Sequence, residues 1–245
     1  MNSLFNLARM TCHDFLFYAS RDYGASARPV STIGNYALMY AMNRNIPEVR
    51  RVITGTTPKY NEHLPLMKVY ATPASPVSAE SVRGDPQIGA GIVDFVSSHE
   101  VTRITWNSVG ESLLWAMEAE KINIPKVGSY FKINPLATFY FYTVGGPIPS
   151  VIRIGKKYIP ARIRLEALEI TEKEGRFKPT CAVNVEDLPE ETQILGGSLL
   201  TVPPSPLLLD ADLDGAYVEG KAPDGSVHRI PVPRQDRFRE SWPLE

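Results

Sequence analysis

The feature that most constrains the fold is the succession of patterns at the start of the chain. Residues 4–20 alternate imperfectly between apolar and polar side chains and are rich in Phe and Tyr, which predicts one long β-strand. A Gly- and Pro-containing loop follows, with Ser31 or Thr32 as the N-cap of a helix. The apolar residues beyond it have the spacing of one helix face: Ile33, Tyr36, Ala37, Tyr40 and Ala41. Strand, loop and helix in this order predict the start of a split βαβ unit.

Strand patterns dominate the remainder. Residues 136–144, LATFYFYTV, are β-branched and aromatic and predict a strand. The Asp-Gly pair in KAPDGS predicts a hairpin between residues 216–219 and 227–232. Further strands are predicted at residues 101–107, 151–154 and 161–168. The sequence therefore predicts an α+β fold in which strands outnumber helices.

The length of 245 residues fits a single domain with a sizeable core. Residues 73–100 begin with a stretch rich in Ser, Pro, Gly and Ala, which predicts an exposed insertion loop. Residues 186–245 contain a Gly-Gly pair and many prolines, so we expect a turn-rich C-terminal portion packed on the core.

Composition limits the cellular setting. No apolar run reaches 18 residues and no secretory signal is visible, so we expect no membrane association. Cys12 and Cys181 lie far apart in apolar-rich segments, which favours two buried free thiols over a disulfide. Free thiols fit a reducing cytoplasm, and we expect the protein to be cytoplasmic.

The charge is unevenly distributed along the chain. The net charge of −1 argues against a generic nucleic-acid binder. Residues 121–165 nevertheless carry eight basic side chains and no Asp or Glu, whereas residues 186–224 carry nine acidic side chains and one Lys. This asymmetry predicts a basic face and an acidic face, with ordinary surface charge as the alternative.

The candidate ligand-binding residues lie around the aromatic strand and in the first loop. Cations neutralise phosphates, and aromatic rings are stacking platforms for unpaired bases. In the strand itself, alternation allows only half of the four residues 139–142 to face a ligand. The candidates for RNA or DNA binding are Arg21, Tyr23, Arg28, Lys126, Tyr130, Lys132, Arg153, Lys156, Lys157 and Arg162, with Arg164 beside them.

The pair His13-Asp14 is a candidate metal site, as in His-Asp phosphohydrolases. One His and one carboxylate leave a metal with too few ligands, and the other histidines do not have ligand spacing. Adjacent residues on a strand also point to opposite faces. We therefore favour a hydrogen bond from this pair to a neighbouring loop, and we predict no metal and no cofactor. No nucleophile motif and no phosphate-binding glycine motif is present.

Several long stretches occur in the order found in one known family: HDFLFYASRDYG with IGNYALMYA, RITWNSVGESLLWAMEAEKINIPKVGSYFKI, and FYTVGGPIPSVIRIGKK. With them, the chain resembles the type I-D member of the Cas-five family over nearly its whole length. That member is a subunit of the CRISPR interference complex, Cascade, in antiviral defence. The resemblance implies a ferredoxin-like core of the RNA-recognition-motif type with an inserted, β-rich thumb element.

The resemblance also implies a set of partners. The subunit would bind the 5′ handle of CRISPR RNA, cap the filament of backbone subunits and bridge to the large subunit. It would lie near the protospacer-adjacent motif, so a contact to target DNA is expected, while guide pairing reads the sequence. The basic segment and the loop at 21–28 would then face phosphates. The acidic segment would face solvent or basic partner subunits.

Catalysis remains a separate question. Some relatives in another subtype cleave precursor CRISPR RNA, which requires a general acid and a general base. The loosely grouped candidates here are Tyr130, Lys132 and His99. Because the resemblance implies a separate processing subunit in subtype I-D, we expect a non-catalytic subunit. The alternatives are an endoribonuclease and a His-Asp metal phosphohydrolase.

Overall fold

The computed structural model describes residues 4–18, 21–22, 26–55, 57–76, 101–107 and 127–242. These residues form fifteen strands. They are β1 (Phe5–Cys12), β2 (Arg21–Asp22), β3 (Ser26–Arg28), β4 (Val69–Ala71), β5 (Ser75–Pro76), β6 (Val101–Asn107), β7 (Val127–Ile133), β8 (Thr138–Gly145), β9 (Val151–Ile154), β10 (Ile159–Ala167), β11 (Glu169–Phe177), β12 (Val183–Asn184), β13 (Gln193–Leu200), β14 (Leu207–Lys221) and β15 (Val227–Pro231). The α-helices are α1 (Asn35–Asn43), α2 (Pro47–Val52), α3 (Tyr60–His63) and α4 (Gln235–Phe238), and Leu64–Leu66 and Val185–Asp187 are 3₁₀ turns.

The central sheet has the strand order β4-β8-β1-β10-β9, all antiparallel, and β5 also pairs with β8. Alternation gives it two different faces. Ala8, Met10 and Phe141 lie on one face and are fully buried in the same hydrophobic cluster as α1. Arg9 lies on the other face, opposite Tyr140 of β8. The α1 side of the sheet therefore holds the main core, and the other side carries buried Leu7 and Tyr142 together with the half-buried Arg9.

The second sheet is built around the 15-residue strand β14. It pairs with β11 and β12, and also with β13 and β15, always antiparallel. A small cluster covers one part of this sheet: Phe177, Val183, Leu188, Leu208, Ala211 and Leu213. The third sheet is smaller and has the order β2-β3-β7-β6.

Buried polar and aromatic contacts fix the helix and the C-terminus to the central sheet. The Asn43 amide oxygen at the end of α1 accepts from the backbone N–H groups of Lys68 and Val69, at 2.7 and 3.1 Å. Trp242 packs edge-on against Phe5 of β1, with ring centroids 5.3 Å apart. Residues near both ends of the described chain therefore share one core.

Several sequence predictions are confirmed by these elements. The α+β class holds, with antiparallel strands dominant and few helices. The strands at 101–107 and 151–154 have the predicted bounds, and the hairpin at KAPDGS joins β14 to β15. Cys12 and Cys181 are buried and free, as predicted. None of the helices in the described ranges has the length and apolarity needed to cross a bilayer.

Two predictions near the N-terminus are wrong. The strand predicted at 4–20 ends at Cys12, because the chain bends at residues 13–14 and leaves the central sheet. The helix has Gly34 as its N-cap, without a side-chain cap, rather than Ser31 or Thr32. The reason is that Ile33 exchanges both backbone hydrogen bonds with Ala74, at 2.9 Å each, which keeps residue 33 extended.

Candidate nucleic-acid interface

Residues 15–18, which we call the crossing segment, bring distant predicted residues together. The backbone of Leu16 exchanges two hydrogen bonds with Ile133 of β7, both 2.9 Å long. On the other side, the Lys156 N–H donates to the carbonyl oxygen of Phe17 at 2.8 Å. The crossing segment therefore lies between β7 and the turn that joins β9 to β10.

Gly155 is what allows the turn to approach so closely. Its φ is +73°, and a Cβ there would lie 2.7 Å from Leu16 Cδ1 and 2.9 Å from the Phe17 carbonyl oxygen. A residue with a side chain would meet both the steric conflict and the left-handed backbone penalty. The position of Lys156 thus depends on a glycine at 155.

Aromatic and cationic side chains line the β7 side of the crossing segment. The rings of Phe17 and Tyr130 have centroids 5.1 Å apart. Lys132 Nζ lies 5.4 Å from the Tyr130 ring centroid and 5.8 Å from that of Phe15. Cation–π contacts of this length hold the ammonium beside the rings while leaving it able to meet a phosphate. A cation and stacking surfaces are therefore fixed together here.

On the other side of the crossing segment is a groove of about 1060 Å³, which we call the basic groove. It is lined by α1 with the segment that follows it, by β9 with the turn at 155–158, and by residues 202–205. Its charged lining residues are Arg44, Arg50, Arg153 and Lys156, and no described Asp or Glu lines it. Its tyrosines are Tyr18, Tyr36, Tyr40, Tyr60 and Tyr158. The groove is thus positive and aromatic.

The tyrosines of the basic groove do not weaken its positive charge. Burial raises the pKa of Tyr40 to about 12, and the Tyr40 hydroxyl is 2.7 Å from His63 Nδ1. Burial, with the nearby Asp187 carboxylate, raises the pKa of Tyr36 well above its usual value. Tyr158 is 60% exposed and offers a ring at the rim. The raised pKa values keep Tyr36 and Tyr40 uncharged near pH 7.

A buried polar network supports one end of the basic groove. The Asn35 amide donates to Asp187 at 2.5 Å, and the Tyr36 hydroxyl donates to the same carboxylate at 2.7 Å. Asn184 donates to Asn35 at 2.9 Å and accepts from Ser205. Burial raises the pKa of Asp187 to about 7, against the opposing effect of its two hydrogen bonds. The network joins the start of α1 to the second sheet.

The outer face of the central sheet is a second basic surface. Arg164 lies directly opposite Arg9, and Arg162 lies opposite Thr11. The side chains of Arg162 and Arg164 are exposed, and Arg9 is half-buried. Nearby, a pocket of about 730 Å³ is lined by Arg9, Tyr140, Tyr142, Thr180, Asp210 and His228, among others. This surface combines arginines with the carboxylate of Asp210, unlike the basic groove.

The structure separates the predicted site residues into groups. Arg153 and Lys156 line the basic groove, and the exposed Lys157 follows in the same turn. Tyr130 and Lys132 lie on β7, across the crossing segment, whereas Arg162 lies on the outer face. Arg21 and Arg28 are paired residues of β2 and β3, in the same small sheet as β7. Tyr23 and Lys126 lie outside the described residues.

Sequence patterns missed the residues that complete the basic groove, namely Arg44, Arg50 and the groove-lining tyrosines. A weak signal for Arg44 exists, because it lies one helical turn after Tyr40 and its guanidinium is 6.0 Å from that ring centroid. Arg50 carries no such signal, since its position depends on how α2 packs.

The remaining candidates do not form a described site. His13 and Asp14 are exposed, and Asp14 accepts a hydrogen bond from the Phe15 N–H at 2.6 Å, within its own turn. Across the described residues, no group of three or more His, Cys, Asp or Glu could hold a metal ion. His99 and most of the predicted insertion loop at 73–100 lie outside the described residues.

Comparison with known proteins gives one family match. The family model described as type I-D CRISPR-associated protein Cas5/Csc1 matches residues 5–241. No curated protein sequence matches the chain.

Solved structures include two similar chains. One is from a cryo-EM structure of the type III-B Cmr-beta bound to cognate target RNA and AMPPnP, with 6% identity and a TM-score of 0.44, covering 85% of this chain and 86% of that one. The other is a crystal structure of a CRISPR protein from Archaeoglobus fulgidus, with 11% identity and a TM-score of 0.39, covering 93% of this chain and 99% of that one.

Proposed function

Because this chain belongs to the type I-D Cas5/Csc1 family of CRISPR-associated proteins, we propose that it is an RNA-binding subunit of a type I-D CRISPR complex in the cytoplasm. Its ligand is the 5′ handle of the CRISPR RNA, and the binding site is the basic groove. The observation that carries this proposal is the set of four cationic side chains lining a groove that no described Asp or Glu lines.

The chemistry of the basic groove suits single-stranded RNA. Its four cations can neutralise consecutive phosphates and release their counterions. The exposed ring of Tyr158 supplies a stacking surface in the groove, and stacking contributes about 1–3 kcal/mol per base. The Phe17–Tyr130 pair offers a second aromatic surface across the crossing segment, on the β7 side. The volume of about 1060 Å³ is at the upper end of ligand pockets and leaves room for a few nucleotides.

The strand order supports a ferredoxin-like core for this RNA-binding subunit. The order β4-β8-β1-β10, with α1 between β1 and β4, matches a split βαβ unit followed by two further strands. In the sequence, β9 lies between β8 and β10, at the position where a ferredoxin-like fold has its second helix. The small sheet β2-β3-β7-β6 is the candidate for the thumb element.

Within the complex, the subunit caps the filament of backbone subunits and bridges to the large subunit near the protospacer-adjacent motif. The outer-face arginines Arg162 and Arg164 are the candidates for contact with target DNA, because they are exposed and lie on the face of the central sheet that does not hold the main core. Such contacts fix the position of the nucleic acid, while guide pairing reads its sequence.

We assign the subunit a binding role rather than a catalytic one. His228 has Nδ1 2.8 Å from the Tyr142 hydroxyl and Nε2 2.8 Å from Ser226 Oγ, so both ring nitrogens are engaged. Burial also lowers the pKa of His228. His63 is buried against Tyr40. Incubation of the purified subunit with repeat RNA is therefore expected to leave the RNA intact, and multiple-turnover cleavage would establish the endoribonuclease alternative.

Photocrosslinking tests the RNA site directly. The chain is co-expressed with the other subunits of its complex, irradiated, and digested for mass spectrometry. We expect nucleotide adducts on Tyr158 at the rim of the basic groove, and none on Tyr217, a half-buried tyrosine of the acidic second sheet. A complex without RNA would refute the function. Adducts confined to the outer face would refute the site.

A further inference from the structure

Strand β13 presents apolar side chains to solvent. Ile194 and Leu195 are each 47% exposed, and Leu199 is 62% exposed. These three large hydrophobic residues lie within six consecutive positions of one strand. An exposed apolar cluster costs free energy in an isolated subunit, and such patches mark interaction sites.

The hydrophobic cluster of the second sheet does not use these side chains. It consists of residues from β11, β12, β14 and the segment before β13, and it is already closed by Phe177, Leu208 and Leu213. In the register with β14, Leu195 is an extra residue between the pairs Ile194–Leu213 and Gly196–Asp212. A bulge turns a side chain away from its regular direction. Ile194, Leu195 and Leu199 are therefore not part of the hydrophobic core of the second sheet.

Strand β13 is also an edge. It pairs with β14, and no other described strand pairs with it. The bulge and the close approach of Gly197 to Leu208, where a Cβ would lie 2.9 Å from a side-chain carbon, interrupt a regular edge. Irregular edges resist strand addition. A partner would therefore meet the side chains of β13 rather than extend the sheet.

The charge around β13 indicates the chemistry of the partner. The sequence contains no Lys or Arg from residue 179 to residue 220 and eight acidic residues in the same stretch. Glu190, Glu191 and Asp214 are exposed beside β13, and Asp214 lies opposite Gln193. Asp212, opposite Gly196 of β13, is already paired with Arg176 of β11. The other three carboxylates would therefore supply the attraction for Lys and Arg of a protein.

We propose that β13 is a protein-docking surface, and that its occupant is a basic subunit of the same complex with an apolar centre and a rim of Lys and Arg. The apolar residues Ile194, Leu195 and Leu199 form the centre of the contact, and the acidic residues form its rim. An apolar core with a charged rim is the usual arrangement of a specific interface. The inference rests on the proposed membership of a complex but not on the RNA site.

The test uses the full chain co-expressed with the other subunits of its complex. The variant carries Ile194→Ser, Leu195→Ser and Leu199→Ser. We expect at least a tenfold lower recovery of one partner subunit, with unchanged affinity of the isolated chain for handle RNA. A second variant, Glu190→Lys with Glu191→Lys, removes no apolar contact and is expected to weaken the same partner. The control, Val52→Ser with Val227→Ser, alters two residues that are each 47% exposed elsewhere and should assemble normally.

A photoreactive amino acid at position 199 identifies the occupant. A crosslink to a peptide rich in Lys and Arg from another subunit supports the proposal. A crosslink to a second copy of this chain would overturn it, and so would normal assembly of both variants. Loss of RNA affinity in the isolated serine variant, measured beside its thermal melting curve, would also count against it, because β13 would then act through the RNA site or the fold.

Discussion

Neutralising two cations of the basic groove should weaken RNA binding and flatten its salt dependence. In the variant with Arg153→Gln and Lys156→Gln, two of the four groove cations are lost. Each phosphate contact on a single strand contributes about 0.7 to the slope of log K against log salt. Two lost contacts lower the slope by about 1.4. The electrostatic contribution to binding vanishes at 1 M salt, so both proteins should bind equally there. At 0.1 M salt, a slope lower by about 1.4 makes the affinity of the variant about 25-fold weaker than that of the unaltered protein.

The assay is fluorescence anisotropy with a labelled handle RNA over a range of KCl concentrations. Arg44→Gln with Arg50→Gln removes the other two groove cations and should lower the slope by the same amount. The matched control is Lys178→Gln, an exposed cation beside the acidic second sheet, which should leave the slope unchanged. An unchanged slope in both groove variants would refute the reasoning.

Three further predictions concern the fold that holds the basic groove. Gly155→Ala should lower the free energy of unfolding in urea by about 1–3 kcal/mol, because its Cβ would lie 2.7 Å from a leucine side-chain carbon at φ +73°; the control Gly55→Ala, at φ +94°, meets no atom within 4 Å and should cost less. Burial raises the pKa of Cys12 and Cys181 to about 12, so both thiols should react with a thiol reagent at pH 8 only after unfolding, and stoichiometric native labelling would contradict their burial. Because the folded pKa of Asp187 is raised to about 7 from 3.8, the native state binds the extra proton between about pH 4 and 7, and stability should fall as pH rises through that window by up to about 4 kcal/mol. Asp187→Asn should remove that pH dependence in urea unfolding, and an identical slope in both proteins would refute it.

Residue type rather than alternation made β8 predictable, because β-branched and aromatic side chains favour a strand. Phe139 and Phe141 are buried on one face of the sheet, and Tyr142, on the same face as Tyr140, is buried on the other. Strand β11, EITEKEGRF, has no apolar period, and most of its residues are exposed. It forms a strand because all nine of its residues pair with residues of β14. A pattern-based reading cannot detect a strand whose stabilisation comes from its partner.

The site was only partly predictable for a related reason. Lys156 and Arg153 are neighbours in a basic stretch, so composition alone identified them. Their counterparts Arg44 and Arg50 lie about a hundred residues earlier and join them through the packing of α1 against the central sheet. The crossing segment was expected to be a continuation of β1, and its contacts with β7 and Gly155 are long-range. Sequence patterns report local periodicity and charge, whereas these contacts join residues that are far apart in the sequence.

The near-zero net charge is compatible with local concentrations of charge. The basic groove is lined by four cations and by no described carboxylate, while residues 179–220 carry eight acidic residues and no Lys or Arg. The buried Asp187 network joins the two regions, because its donors Asn35 and Tyr36 line the groove and Asp187 itself belongs to the acidic stretch. On the proposed assignment, RNA would bind at the positive groove and a basic protein at β13, and a net charge of −1 allows both because each site depends on its local charge.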